Sequence, residues 1–546
     1  MLRRVLVTFG GVLLLAGSLA WPARAQESAA NPEIERLKAQ LAAQQQQIDQ
    51  LRRTLEDQQK TLEEASRPKP VSLGEVASTS PVLPVSDVAP ALHPGLAGAL
   101  NPQKGTDEPE PSPLQIRLGS STITPVGFMD MTYVFRSRDG GSSIGTNFGS
   151  VPYGNTPLGN LTESRFSTQN SRIGARFDTM VHGTKVLAYW ESDFLGTQSG
   201  NAGVSSNSNS FRIRLYWVDL RKGKWEILGG QSWSMLTPGR KGISPLPGDL
   251  FYSQDMDTNY QVGLSWTRAP QFRFVYHASP VVTWGLSLEQ AEQYGGGSGG
   301  GGTIVIPSAL ATNFANQVNT GSQTFNVPNL APDVQTKIAF DPMVDGKLMH
   351  IEFAGFLSAF KTYQGGSTFT KTGGGGTAGF NLELVKNFRI IANAFISDGG
   401  GRYLFGEAPD LAIRPNGAPM PIHADSTVDG FEYTAHNTTF FAYYGGILIG
   451  RAAIIDNTNK NVFVGYGYPG SSTGQNRTMQ EGTFGFNSTF WKNPNYGALS
   501  FIFQYSYLFR NPWAPPATGP RSANNNMIWL DLRYTLPGAA PAPPKK

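Results

Sequence analysis

The chain has no cysteine among its 546 residues. This absence excludes disulfide bonds, thiolate nucleophiles and cysteine-ligated zinc. Histidine is scarce as well: the six histidines are scattered, and no pair has the helical spacing of metal ligands. We therefore expect no metal site and no cofactor.

A strong excess of one charge is also missing. Removal of Arg3, Arg4 and Arg24 with a leader would leave basic and acidic residues almost equal in number, which gives no support to nucleic-acid binding. Enzyme signatures fail as well. Residues 296–300 match a nucleophile elbow without its strand-turn-helix context, and residues 465–470 match a dinucleotide fingerprint interrupted by Pro469. We expect no enzyme activity.

The one long apolar run lies at the amino terminus. Arg3 and Arg4 precede residues 5–21, and Ala23-Arg24-Ala25 has the small-x-small pattern of a signal peptidase site. The pattern predicts a signal peptide over residues 1–25. An uncleaved membrane helix is the weaker alternative, because glycines and Pro22 shorten the apolar core.

Residues 26–67 contain a heptad repeat, which predicts an α-helical coiled coil. Its charges do not specify a partner, so self-association is the simpler interpretation, and a solvated single helix is the alternative. Residues 68–113, rich in Pro and Ala, predict a linker. The core positions predicted to drive oligomerisation are Ile34, Leu37, Leu41, Gln44, Ile48, Leu51, Leu55, Gln58 and Leu62.

Residues 114–536 show short alternating segments typical of an all-β transmembrane barrel with 16 antiparallel strands. The count depends on one strand over residues 269–278 despite Pro270, and residues 537–546 are predicted to be a disordered tail. The predicted strands are 123–135, 165–179, 184–194, 211–220, 225–233, 269–278, 282–290, 333–341, 346–361, 378–384, 388–397, 437–444, 447–455, 478–491, 496–510 and 527–536.

Tight turns alternate with long connections in this prediction. That asymmetry is typical of outer-membrane barrels, and an even strand number returns both chain ends to the periplasm, where the coiled coil would lie. The glycine runs 295–302 and 373–376 are predicted to be mobile external loop. The predicted long loops are 136–164, 195–210, 234–268, 291–332, 362–377, 398–436, 456–477 and 511–526.

Period-two alternation predicts which side chains face the lumen. In residues 211–220 it places Ile213, Leu215 and Trp217 outward and Arg212, Arg214 and Tyr216 inward. An arginine at lipid depth costs about 2–4 kcal/mol, so the strand arginines should face the lumen. They form either an anion-attracting stripe or a ladder paired with acids such as Glu191 and Asp193. The predicted pore-lining cations are Arg172, Arg176, Arg212, Arg214, Arg273 and Lys185.

The third long loop is the candidate constriction. If it folds inward it narrows the pore, and an external, solvated loop is the alternative. Its charged candidates are Arg240, Lys241, Asp249, Asp255 and Asp257.

Two segments resemble a known family. Residues 169–174 (QNSRIG) resemble the second-strand signature of Gram-negative porins, and residues 211–220 followed by 230–234 are similar to the DcaP-like outer-membrane porins. The resemblance implies a periplasmic coiled coil, a trimeric barrel in outer-membrane lipid, and passive diffusion of small anions such as dicarboxylates. By position it implies roles for Arg172, Arg212 and Arg214. The Pro/Ala tail after Leu536 departs from the family pattern. A tether between outer membrane and cell wall is the competing hypothesis.

Overall fold

The computed structural model describes residues 113–140, 142–196, 210–251, 254–321, 327–460 and 462–537. The predicted signal peptide, the coiled coil with its heptad residues, and nearly all of the linker and tail lie outside these residues.

Sixteen antiparallel strands pair in chain order, and the last strand pairs with the first, so the sheet closes into a barrel. This confirms the predicted barrel and its strand number. The strands are β1 Ser121–Arg136, β2 in two parts (Glu163–Ser167 and Arg172–Val181), β3 Thr184–Gly196, β4 Ser210–Lys222, β5 Trp225–Trp233, β6 Arg268–His277, β7 Val282–Glu289, β8 Asp333–Phe340, β9 Lys347–Gln364, β10 Ser367–Val385, β11 Phe388–Asp398, β12 His423–Ala435, β13 Thr438–Ile449, β14 Asn476–Asn493, β15 Gly497–Pro512 and β16 Ala523–Thr535.

The remaining elements are short. Within the described residues, no helix is long and apolar enough to cross a membrane. The short elements are strands Ile116–Leu118 and Met343–Val344, hairpins Leu411–Ile413 with Pro419–Pro421 and Ala452–Asp456 with Val462–Tyr466, the α-helix Ala311–Phe314, and the 3-10 turns Phe148–Ser150, Leu158–Asn160, Pro247–Asp249 and Gly401–Tyr403.

Two errors in the predicted strands cancel in the count. Residues 423–435, predicted as loop, form β12, and the predicted turn at Gly445 and Gly446 lies inside the continuous strand β13. A Cβ on Gly445 would lie 1.8 Å from the carbonyl oxygen of Val262, which belongs to the connection between β5 and β6. The absence of a side chain at Gly445 therefore lets a second backbone pack against the wall, and neither glycine forms a turn.

The predicted fifth long loop is also wrong. Strands β9 and β10 continue through residues 362–377 and meet at Gly365 and Gly366, whose φ angles are 57° and 83°. Residues 373–376 thus lie in β10, where a Cβ on Gly375 would approach the carbonyl oxygen of Ile396 to 2.2 Å. Residues 295–302 are packed as well, since a Cβ on Gly301 would lie 2.6 Å from the carbonyl oxygen of Glu407.

Side-chain facing agrees with the prediction that Arg172 and Arg176 of β2 and Arg273 of β6 face the lumen, but β4 departs from the predicted alternation. Ser192 pairs with Ile213, whereas Glu191 pairs with Leu215, so Arg214 is an extra residue in the ladder. This bulge reverses the facing of the later residues of β4. Leu215 and Trp217, predicted to point outward, are buried in the lumen, and Tyr216, predicted to point inward, is 66% exposed on the outer face.

Candidate pore and constriction loop

Residues 234–267, which we call the constriction loop, fold into the barrel. Leu250, Phe251 and Tyr260 of the loop belong to one buried apolar cluster with Trp217 of β4 and Phe441 of β13. The loop therefore contacts walls on different sides of the lumen. This observation favours the inward alternative over the solvated external loop.

Polar contacts hold the constriction loop to the far wall. Arg240 forms a buried bidentate pair with Glu432 of β12, at 2.9 and 2.7 Å. The backbone N–H of Gln254 donates to the Tyr443 hydroxyl at 3.1 Å, and that of Val262 donates to Glu481 of β14 at 3.0 Å. The loop thus spans the lumen.

A cavity of about 160 Å³ remains between the constriction loop and the wall formed by the first and last strands. Three arginines and three carboxylates line it together with aromatic side chains. The lining includes Phe128, Arg172, Glu191 and Arg533 from the wall and Arg240, Asp255, Asp257 and Tyr260 from the loop. We take this cavity as the candidate pore.

Phe128 lies between two guanidinium groups at the cavity. The Arg172 guanidinium carbon is 5.0 Å from the ring centroid, and that of Arg533 is 4.2 Å away. Arg533 also forms a bidentate pair with Asp130, at 2.7 and 2.8 Å. Cation–π contact orients both guanidinium groups along the wall.

Two of the predicted arginines are closely paired with acids. Arg212 forms a bidentate contact with Asp193, at 3.0 and 2.7 Å. Arg214 donates to Glu191 and to Asp193, each at 2.7 Å, and to the Tyr260 hydroxyl at 2.9 Å. The geometry therefore agrees with the ladder alternative for these two arginines.

Arg172 is less well compensated than its neighbours. Its Nη1 lies 3.7 Å from Glu191 Oε1, the atom that already accepts from Arg214. No described residue accepts a hydrogen bond from Arg172 Nε.

Three further predicted cations do not line the cavity. Arg176 is buried in a bidentate pair with Asp178, at 2.7 and 2.8 Å. Arg273 is buried and donates to the carbonyl oxygen of Trp233 and to Gln271. Lys185 is half-buried on the same wall, where it interacts electrostatically with Asp178. Arg176 and Arg273 are thus held by the wall itself.

The predicted loop charges divide into three groups. Arg240, Asp255 and Asp257 line the cavity, whereas Lys241 is exposed. Asp249 lies in a 3-10 turn, and its side chain is outside the described structure. Asp257 accepts from the Thr146 N–H at 3.0 and 3.1 Å. Burial raises the pKa of Asp257 above its ordinary value, and the nearby Arg136 guanidinium opposes that rise.

Sequence reasoning missed Arg268, Arg533 and Phe128. Arg268 begins β6, where alternation is not yet established, and its guanidinium carbon lies 5.5 Å from the Trp233 ring centroid. No described residue accepts a hydrogen bond from its Nε or Nη1. Arg533 was detectable in principle, because it follows Asp531 at a spacing of two in β16.

Arginines outnumber acids in this corner of the barrel. Arg172, Arg212, Arg214 and Arg268 surround only two described carboxylates. Those carboxylates are Glu191 and Asp193. The short internal segments between the described ranges contain no Asp or Glu that could add to them. This cluster of four arginines and two carboxylates therefore carries excess positive charge, whereas the cavity itself is lined by three arginines and three carboxylates. Among the described residues, no group of three or more His, Asp and Glu could hold a metal ion.

No family model and no curated protein matches the chain. Solved structures do. The outer membrane channel DcaP of Acinetobacter baumannii aligns with a TM-score of 0.55 and 17% identity, covering 76% of this chain and 97% of that one. An anion-selective porin from Comamonas acidovorans aligns with a TM-score of 0.42 and 12% identity, covering 76% and 99%. The DcaP comparison confirms, at the level of fold, the predicted resemblance: the chain has the fold of an outer-membrane channel.

Proposed function

We propose that this protein is an outer-membrane porin for passive diffusion of small hydrophilic solutes, preferentially anions such as dicarboxylates. The observation that carries the proposal is the excess of arginines around Glu191 and Asp193. In a narrow passage with low-dielectric walls, uncompensated cationic charge raises the local concentration of anions.

The preference for anions is assigned mainly to Arg172, which lines the cavity, and to Arg268, which is not part of that lining but belongs to the same charged cluster. Arg212 and Arg214 are neutralised by Asp193 and Glu191 at hydrogen-bond distance, so their charge is largely internal to the wall. Free guanidinium N–H groups suit carboxylates, because the planar donor pair matches two carboxylate oxygens.

The test is the reversal potential of the channel in a planar bilayer under a salt gradient. Arg172→Gln with Arg268→Gln should lower the anion-to-cation permeability ratio several-fold. A charge about 10 Å from a passing ion shifts its free energy by about 0.8 kcal/mol at an effective dielectric of about 40. The matched control is Arg451→Gln with Arg521→Gln, which removes two exposed loop arginines and should change the ratio little. Equal ratios in both double variants would overturn the assignment.

The proposal places the barrel in outer-membrane lipid as a homotrimer with the coiled coil in the periplasm. The apolar outer face supports lipid contact, since Phe272, Phe501 and Leu532 are exposed there. The tether hypothesis gives no reason for the excess of arginines around Glu191 and Asp193. Absence of single-channel steps in the reconstituted protein would favour the tether.

A further inference from the structure

The constriction loop begins with a stretch that we call the stem, residues 235–242. The Arg240 side chain attaches the stem to Glu432, and side chains of the wall also bind the backbone of the stem. The N–H of Met235 donates to Glu289 of β7 at 3.0 Å, and Lys337 of β8 donates to the carbonyl oxygen of Thr237 at 2.8 Å. The position of the stem thus depends on charged wall side chains.

Two further anchors use glycine N–H groups. Gly239 donates to both carboxylate oxygens of Glu352, each at 3.1 Å. Gly242 donates to Asp341 Oδ2 at 2.9 Å. An ionised carboxylate binds a backbone N–H more strongly than a neutral acceptor does, so the strength of these anchors depends on the charge and position of Glu352 and Asp341.

His350 joins those two carboxylates. Its Nδ1 lies 2.8 Å from Asp341 Oδ1, and its Nε2 lies 3.0 Å from Glu352 Oε2. The ring is fully buried. A neutral imidazole has a single N–H, so it cannot donate to both carboxylates, whereas the imidazolium can. With both acids ionised, this geometry requires the charged ring.

The charges around His350 balance only when its ring is protonated. Lys337 lies 2.9 Å from Glu352 Oε2, and Arg273 of β6 and Glu289 of β7 act on Lys337 from the next strands. Among Lys337, Asp341, His350 and Glu352, loss of the ring proton leaves one uncompensated negative charge. A nitrogen lone pair then faces a carboxylate oxygen, and buried geometry of that kind is unfavourable.

We propose that His350 is a proton-sensitive positioning residue for the constriction loop. The protonated ring holds Asp341 and Glu352 against the stem. Its deprotonation releases at least one of the anchors at Gly239 and Gly242, so that the backbone of the stem loosens at alkaline pH while Arg240 stays paired with Glu432 and the far end of the loop stays bound to Glu481.

The test is hydrogen exchange by mass spectrometry on the full-length protein in lipid nanodiscs, between about pH 6 and about pH 10. Rates are corrected for the intrinsic pH dependence of exchange. In the wild type, protection of the stem, residues 235–242, should fall about tenfold or more across this range, as expected for loss of a charge-assisted hydrogen bond. Residues 259–265 of the same loop serve as the internal control and should show no such step.

His350→Gln should abolish the step, because the amide does not titrate. Asp341→Asn should also abolish the step. Only Glu352 then remains as a carboxylate beside the ring, and a neutral imidazole can donate its single N–H to it. The second variant keeps the test decisive if the first does not fold. A flat wild-type profile, or the same step in the wild type and a folded variant, would overturn the proposal.

Single-channel conductance measured over the same pH range adds a readout that depends on the proposed porin function. A step in exchange with no conducting channel would contradict the porin proposal and would still support the proposed role of His350. Conduction without a step in exchange would contradict only the proposed role of His350.

Discussion

Arg240 and Glu432 form a buried bidentate ion pair that connects the constriction loop to the far wall of the barrel, with N–O distances of 2.9 and 2.7 Å. Tyr443 donates to the same carboxylate at 2.7 Å. Both charged side chains are almost fully buried. The pair is therefore a specific attachment point for a loop that obstructs the lumen.

Glu432→Gln should loosen the constriction loop and raise single-channel conductance. Breaking one partner of a buried pair costs about 3–5 kcal/mol, because the other charge stays buried without compensation. Lys241→Met removes the neighbouring, exposed cation and should leave conductance near the wild-type value. Unchanged conductance in a folded Glu432→Gln channel would contradict this role of the pair.

Gly445→Ala should displace the constriction loop from β13, because the new Cβ would lie 1.8 Å from the carbonyl oxygen of Val262. Overpacking of this kind costs about 1–3 kcal/mol or more. Gly482→Ala in β14 is the matched control, since a Cβ there meets no atom within 4 Å. Urea unfolding in lipid vesicles measures the difference. Equal midpoints for the two variants would show that the close approach is unimportant.

Arg212→Ser with Arg214→Ser should shift the reversal potential toward cations and also destabilise the barrel. Both effects arise because Asp193, fully buried, loses its two hydrogen-bonded cations. Adding Asp193→Asn should restore much of the stability, since no uncompensated charge then remains at that position. If the double variant unfolds at the wild-type midpoint, the ion pairs contribute little.

Glu407 should make stability depend on pH. Burial raises the pKa of this carboxyl well above its ordinary value, and the Gly149 N–H and the Arg510 guanidinium oppose the rise. The native state keeps the proton while the unfolded chain loses it, so stability falls by about 1.4 kcal/mol per pH unit as pH rises above the unfolded pKa toward the folded one. The loss should be visible from about pH 5 upward.

The measurement is the unfolding midpoint between about pH 5 and about pH 8. Glu407→Gln should remove this component of the slope, because the amide is neutral throughout. Asp345→Asn, at an exposed turn, should preserve the slope. Parallel curves for wild type and Glu407→Gln would refute the assignment.

Much of the barrel follows from local sequence alone. Period-two alternation places Arg172, Arg176 and Arg273 toward the lumen, and it needs only the pleat of a single strand. The strand at residues 268–277 was predicted correctly despite Pro270, because an exposed proline near a strand end removes little from the ladder. The strand number was correct although β12 was missed and β13 was split.

Tertiary structure decided the rest. The bulge at Arg214, which turns Leu215 and Trp217 inward, depends on the pairing of β4 with β3. In the sequence alone, Gly445 and Gly446 indicate a turn, because the approach of the Val262 carbonyl oxygen to Gly445 is a contact between distant parts of the chain. Whether Arg212 is free or paired depends on the distance to Asp193, on another strand. The sequence alone determined that the chain forms an antiparallel sheet and which side chains face the lumen in regular strands such as β2 and β6, because the alternation within a strand is a local property of the chain. The inward loop and the charge balance of the cavity are contacts between residues far apart in sequence, and only the closed barrel brings them together.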